Sequence, residues 1–244
     1  MQCLILAGGL GTRMKPLTDR LPKVMIPVNA RPFTDYQLEW LAGQGVGRVV
    51  YAIGRLGGAV REYVGDGSRW GLDVSFSDEG DAPLGTAGAV RLAVDGGMMD
   101  GAFLVLYGDS FLTIGISPVW EAAMAGEIPL MCVFRNQDGH EKSNVNFENG
   151  LVMLYEKSGG KVSDQGMRYI DYGLSVLSRD VVEEMTESGE ASGLAGLYRR
   201  LSLEGKLHGY EVFDRYYEIG SPPGLKELES YLRANPAMDG NGHD

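Results

Sequence analysis

Five short apolar runs set the terms for this chain: QCLILA (2–7), RVVYAIG (48–54), LDVSFS (72–77), AFLVLYGD (102–109) and PLMCVF (129–134). Each is bounded by glycine or polar residues, as buried strands are. Between them TDYQLEWLAGQG, LGGAVREYVGDG, GTAGAVRLAVDG and SPVWEAAMAGE carry apolar residues at helical spacing, and most end near glycine. Strand, helix, strand, repeated four times, predicts right-handed crossovers and a mostly parallel sheet covered by helices on both faces. In such sheets ligands bind beyond the carboxyl ends of the strands. The loops after Ala7 and after Tyr107 are therefore the first places to look for chemistry.

After about residue 135 the rhythm changes. SNVNFENGLVMLYEK reads as two short strands around an Asn149-Gly150 hairpin turn. MRYIDYGLSVLS is a longer strand, followed by helical stretches near 179–188 and 194–204, then strand-like LHGYEVF and YYEIG. PPGLKELESYLRA closes as a helix with prolines at its start, where a missing N–H does no harm. Residues 235–244 read as a flexible tail. The expected organisation is one domain over 1–234, with 1–135 as its first, ligand-binding part and 136–234 as a second part that covers the substrate.

Composition narrows the function classes. In 244 residues, 22 basic side chains face 33 acidic ones, a net charge of −11. That balance argues against nucleic acid as a partner, whose binding leans on phosphate neutralisation, and against an anionic membrane surface. A small anionic substrate is compatible with it, because cations can cluster locally inside an acidic protein. Two cysteines, Cys3 and Cys132, both in strand-like runs, suit buried packing better than a disulfide framework or a zinc site. No signal peptide is evident, and no apolar stretch nears the ~20 residues of a membrane span. A cytoplasmic location is the expectation, and oligomeric state, a homo-oligomer included, is left open.

The opening MQCLILAGGLGTRMKPLTDRLPKVMIP puts bare backbone and several cations next to the first strand. Glycine after a buried strand lets backbone N–H groups wrap phosphate oxygens. A dinucleotide fingerprint would need a third glycine where Met14 stands, and a P-loop would need Gly-Lys-Ser/Thr where Gly11-Thr12-Arg13 stands. Asp109, immediately past the fourth strand and beside Gly108, is placed as a hard oxygen ligand for Mg2+, which binds through one or two carboxylates plus phosphates. His140, His208 and His243 are scattered and have no partner nearby in sequence.

LAGGLGTRMKPLTDRLPKVMIPVNARPFTDYQLEWL resembles the opening of the sugar-1-phosphate nucleotidyltransferases, with its Gly-Gly-x-Gly-Thr-Arg, Pro-Leu-Thr and Pro-Lys steps; Val24 stands where proline is usual. The resemblance implies a Rossmann-like three-layer α/β/α fold with a small β-rich sugar-binding part. It implies an enzyme that joins a sugar 1-phosphate to a nucleoside triphosphate (NTP), releasing pyrophosphate, with Mg2+ as cofactor. Leu6, Ala7, Gly8, Gly9, Gly11, Thr12 and Gly108 would then contact the nucleotide. Arg13 would stabilise the departing pyrophosphate, and Lys23 would grip phosphates near the reacting centre. Asp109 would hold Mg2+. In YYEIGSPPGL, Glu218 stands where a second metal-binding aspartate is common.

By the same resemblance PLGTAGAVRLA offers Gly85, Thr86 and Ala87 to the base. LYEKSGG offers Glu156 to sugar hydroxyls and Lys157 to the sugar phosphate, with Ser158 replacing a proline. MRYIDYGLSVL offers Asp171 and Gly173, the acid replacing an asparagine; Ser143 and Asn144 stand where relatives carry Tyr-Gly. The pattern is most similar to heptose- and mannose-1-phosphate guanylyltransferases, with uridylyl or thymidylyl transfer to a hexose 1-phosphate as the alternative. A nucleotide-sugar-binding regulatory subunit without turnover would be marked by loss of Arg13, Lys23 or Asp109, and all three are present. A redox dinucleotide protein lacks its third glycine here.

Overall fold

The strand β1 (Gln2–Leu6) is buried along almost its whole length, as a strand covered on both faces must be. In this computed structural model, which describes residues 1–9, 11–137, 142–157 and 166–235, the chain divides into two units. Ser158, His140, His243 and residues 236–244 of the expected tail lie outside the described residues.

The chain visits the first unit three times: Met1–Pro83, Leu106–Thr113 and from Tyr216 on. Its first pass holds β1, β2 (Pro27–Val28), β3 (Arg31–Pro32), α1 (Phe33–Gly43), β4 (Arg48–Ile53), α2 (Gly57–Val64) and β5 (Asp73–Asp78). The order β5-β4-β1 is parallel throughout, with Gln2 opposite Arg48 and Arg48 opposite Asp73. β5 keeps only Val74 and Ser77 buried while β4 is buried after its first residue, as an edge strand differs from a central one.

The intervening chain supplies α3 (Gly85–Asp95) and β6 (Ala102–Tyr107), whose last two residues re-enter the first unit beside β1 and lead into β7 (Ser110–Phe111).

The second unit continues with α4 (Ser117–Met124), β8 (Leu130–Arg135), β9 (Val145–Glu148), β10 (Leu151–Tyr155), β11 (Tyr169–Ser178), α5 (Arg179–Met185), α6 (Leu194–Leu203) and β12 (His208–Val212). Here antiparallel pairing dominates. The order is β11-β8-β12-β10-β9, only β8 and β12 run parallel, and β9 pairs back onto β11, so five strands close on themselves. The β9–β10 turn has positive φ at both Asn149 (52°) and Gly150 (82°), the requirement of a two-residue hairpin of the primed type.

On its last pass the chain returns to the first unit with β13 (Tyr217–Glu218) and α7 (Pro222–Ala234). Ser221 caps α7 by accepting from Gly224 N–H at 3.2 Å, and Pro222 and Pro223 take the first positions, where no N–H is required. Leu228 and Leu232 of α7 pack with Met14, Ile26, Phe33, Phe111 and Ile219 in one buried cluster. Cys3 and Cys132 are fully buried, which pushes both thiols well above their ordinary range. Among the described residues no helix is long and apolar enough to cross a membrane.

Candidate active site

Beyond β1 the backbone turns at once. Ala7 N–H donates to Ala52 of β4 at 2.8 Å, tying the loop to the neighbouring strand end. Gly11 has φ +58°, and a Cβ there would lie 2.7 Å from the Thr18 methyl, so only glycine fits. Thr18, buried, donates its hydroxyl to the Gly11 carbonyl at 2.8 Å. The Pro-Leu-Thr step thus clamps the glycine loop. Thr12 and Arg13 follow in a short 3-10 turn, both exposed, while Met14 points into the core. Ala7, Gly8, Gly9 and Lys23 line one open pocket with Gly54 and Arg55. Gly9 is open to that space, with nothing within 4 Å of where a Cβ would be.

Asp109 arrives by way of β6. Gly108 N–H donates to Leu6 carbonyl at 3.1 Å, an approach that a Cβ on Gly108 would block by striking that same carbonyl. The chain is then paired antiparallel with β13, Ser110 opposite Glu218, and Ile219 N–H donates to Asp109 carbonyl at 3.0 Å. This two-strand ribbon brings the two carboxylates together. A Cβ added to Gly220 would lie 2.6 Å from Glu218 Oε2, 2.8 Å from Asp109 Oδ2 and 3.0 Å from Arg13 Nη2. Lys23 Nζ lies 2.9 Å from the same Asp109 oxygen. Two acids and one base meet over one glycine, and a second base, Lys23, sits on one of the acids.

The donor set suits a hard cation. Glu218 Oε1 accepts from the Ser221 hydroxyl, whereas Glu218 Oε2 is buried and has no hydrogen-bond partner. A buried carboxylate oxygen without a partner is costly, and a divalent cation shared with Asp109 would satisfy it. Among the described residues there is no group of three or more His, Cys, Asp or Glu able to cage a metal. Two carboxylates are the complement with which Mg2+ is held when phosphates supply the rest. The extra methylene of glutamate is accommodated by Gly224, where a Cβ would collide with the Glu218 carboxylate. Val24 is buried against Gly108 and offers its carbonyl to the Thr34 hydroxyl at 3.0 Å, so replacing the usual proline leaves a packed turn.

The second unit gathers a different set. Glu156, just past β10, receives Arg199 Nε at 2.9 Å, and its side chain is only 9% exposed. Asp171 accepts from Tyr155 hydroxyl at 3.3 Å and from Gly173 N–H at 3.0 Å. Gly173 has φ +91° within the register shift of β11, which explains its glycine. Asn144 joins the two acids: its carbonyl accepts Glu156 N–H at 2.9 Å, and its side-chain oxygen accepts Asp171 N–H at 3.0 Å. Tyr198, hydrogen-bonded with Ser175 at 2.6 Å, is pushed to a higher pKa by burial and by the Asp171 charge, so it stays a neutral hydroxyl. Lys157 is exposed.

Gly85, Thr86 and Ala87 also lie in the second unit, at the start of α3, and their groups are engaged with the 192–194 segment. Ala87 N–H donates to Ser192 carbonyl at 2.9 Å, Thr86 Oγ1 accepts from Leu194 N–H at 2.8 Å, and Gly85 has φ +72° with Ser192 pressed against it. The structure therefore collects the expected residues as two sets: Leu6 to Arg13, Lys23, Gly108, Asp109 and Glu218 in one unit, and Gly85 to Ala87, Glu156, Lys157, Asp171 and Gly173 in the other.

Sequence reasoning passed over Thr18, Arg55 and Glu79, and gave Asn144 a place in the pattern but no role. Arg55 stands two residues past β4 and Glu79 directly follows β5, so the strand-end rule that singled out Asp109 also points to them. The Glu79 carboxylate reaches across the loop, where a Cβ on Gly8 would lie 2.5 Å and one on Gly54 2.9 Å from its Oε1. Thr18 and Asn144 act through backbone contacts that no spacing announces.

Comparison with known proteins gives the same picture. Residues 2–191 match the family model described as nucleotidyl transferase. A D-glycero-alpha-D-manno-heptose 1-phosphate guanylyltransferase of Campylobacter jejuni is 31% identical over 228 residues, covering 91% of this chain and 96% of that protein. A UTP--glucose-1-phosphate uridylyltransferase of Synechocystis sp. is also 31% identical, covering 91% of this chain and 61% of its own length. The solved structure of HddC from Yersinia pseudotuberculosis complexed with GMP-PN superposes with a TM-score of 0.77 at 23% identity, covering 95% of this chain and 99% of that one, a likeness of fold. With a family match over most of its length, and the family's opening motif folded into a glycine loop beyond the first strand, the chain belongs to the nucleotidyl transferase family.

Proposed function

We propose that this enzyme joins a sugar 1-phosphate to a nucleoside triphosphate, releasing pyrophosphate, in the cytoplasm where both substrates are made. The observation that carries the reading is the convergence of Arg13, Asp109 and Glu218 on the space over Gly220, with Lys23 bound to Asp109. Transfer at phosphorus requires positioning and charge neutralisation rather than a protein nucleophile. A sugar-phosphate oxygen attacks the α-phosphorus, the bond from that phosphorus to the bridging oxygen breaks, and the electron pair leaves with pyrophosphate.

In this reading the backbone of Gly8, Gly9, Gly11 and Thr12 receives the triphosphate. Lys23 and Arg13 meet the negative charge that moves onto the leaving group. Asp109 and Glu218 would hold Mg2+, which would supply charge neutralisation at the reacting phosphate. Glu156, Lys157, Asp171 and Gly173 attend to the sugar phosphate. A guanine nucleotide with a heptose or mannose 1-phosphate is the favoured pairing, supported by the Campylobacter jejuni relative that spans nearly the whole chain. A uridylyl transfer is the second reading, supported by the equally identical Synechocystis relative.

The test is pyrophosphate release with Mg2+, running GTP, UTP, CTP, dTTP and ATP against a panel of sugar 1-phosphates that includes mannose and D-glycero-D-manno-heptose. Release with GTP and one of these two sugars is the expected outcome. Asp109→Asn should leave the fold intact and lower that rate more than tenfold, about 1.4 kcal/mol of barrier. Retention of more than a tenth of the wild-type rate would remove Asp109 from the metal site.

A further inference from the structure

The charges gathered here already balance: Asp109 and Glu218 supply two negative, Arg13 over Gly220 and Lys23 on Asp109 two positive. Lys23 Nζ is 2.9 Å from Asp109 Oδ2, and this is the same oxygen that shares with Glu218 Oε2 the space over Gly220. The ammonium therefore engages the oxygen that a cation bridging the two carboxylates requires. A divalent ion arriving by itself would meet Lys23 and Arg13 at close range, and like charges there repel. A triphosphate arriving with the ion reverses this, because it offers Lys23 another acceptor.

We propose that Lys23 is the resident counter-ion of Asp109 and changes partner, from carboxylate to nucleotide phosphate, so that metal and nucleotide enter together. The proposal rests on the nucleotide reading above. The residue is built for the exchange. Its backbone is fixed in a 3-10 turn, with Ile26 N–H donating to Lys23 carbonyl at 3.0 Å and Met25 N–H to Pro22 carbonyl at 2.9 Å. Its side chain lines the same open pocket as Ala7, Gly8 and Gly9, where the phosphates are expected. The Lys23 and Asp109 side chains are 20% and 25% exposed, so water can reach the pair and ease its opening. A lysine, whose ammonium is a point charge on a flexible stem, can make that swing while its Cα stays in place.

The test titrates Mn2+ alone, with no nucleotide, into the intact protein and follows loss of the free-ion signal by electron paramagnetic resonance. Lys23→Met should bind Mn2+ at least tenfold more tightly than wild type, and Lys23→Gln should behave alike. Arg13→Met, which removes a charge but not the Asp109 contact, should gain less than threefold. Equal affinity in wild type and the Lys23 variants, or an equal gain from Arg13→Met, overturns the proposal. Circular-dichroism melting of each variant confirms that folded protein is compared. Adding Asp109→Asn to Lys23→Met should abolish the gain. If that double variant binds Mn2+ as tightly as Lys23→Met, the ion is not at Asp109 and the proposal fails, while the nucleotide reading, which pyrophosphate release tests separately, stands.

Discussion

A methyl group added at Gly220 tests the geometry of the site more directly than removing any charge. Gly220 is not among the positive-φ glycines, so alanine fits the backbone, and the change acts on the space above it. The new carbon would sit 2.6 Å from Glu218 Oε2 and 2.8 Å from Asp109 Oδ2. Ordinary contacts lie near 3.5 Å, so the Glu218 oxygen must retreat by about 0.9 Å. It cannot do so freely, because its companion oxygen is held by the Ser221 hydroxyl. Working metal sites keep ligand distances to within about 0.2 Å, so a forced separation of this size disables the pair.

Gly220→Ala should therefore lower turnover about a hundredfold, as ~1 Å misplacements do, which is roughly 2.7 kcal/mol of barrier. Its thermal midpoint should stay within about 5 °C of wild type, since alanine restrains the unfolded chain and offsets local crowding. Pyrophosphate release at saturating substrates, paired with a circular-dichroism melt, measures both. Gly43→Ala, at a helix end with nothing within 4 Å of the added carbon, is the control and should match wild type. A Gly220→Ala enzyme with more than a third of wild-type turnover would refute the reasoning, because the carboxylates would then not need that space.

Two further outcomes stem from burial. Leu228→Ala, at a fully buried position where α7 packs beside Phe111 and Ile219, should cost about 2–5 kcal/mol in urea denaturation; a loss below about 1 kcal/mol would mean that α7 does not anchor the β13 end. Cys3 and Cys132, both fully buried with thiols raised above their ordinary range by that burial, should resist Ellman's reagent at pH 8 in the folded protein and react after unfolding in urea. Fast labelling of the folded protein would contradict the burial.

Much of the frame was legible. The runs read at 2–7, 48–54, 72–77 and 102–109 fold as strands at Gln2–Leu6, Arg48–Ile53, Asp73–Asp78 and Ala102–Tyr107. The closing helix begins at Pro222 and ends at Ala234 as read, because proline, serine and helical spacing mark its start locally. The Asn149-Gly150 turn declared itself for the same reason. Less legible was the sheet of the second unit, where strands far apart in sequence pair antiparallel and β9 returns to β11. Apolar alternation shows that a segment is a strand without naming its neighbour. Nor did the sequence disclose that the Ala87 N–H and the Thr86 hydroxyl bond to the 192–194 segment.

By itself the sequence determined the alternation of strand and helix, the glycine loop after the first strand, and the chemical types at Arg13, Lys23, Asp109 and Glu218. These depend on each residue's near neighbours along the chain, and such information is local. The tertiary structure decided that Glu218 faces Asp109, that Thr18 clamps Gly11, and that Lys23 rests on the carboxylate where a cation is expected. Those contacts depend on the register of β7 against β13 and on the packing of α7 beneath them. Register and packing are settled by burying apolar side chains such as Phe111, Ile219 and Leu228 together, a property of the folded chain as a whole.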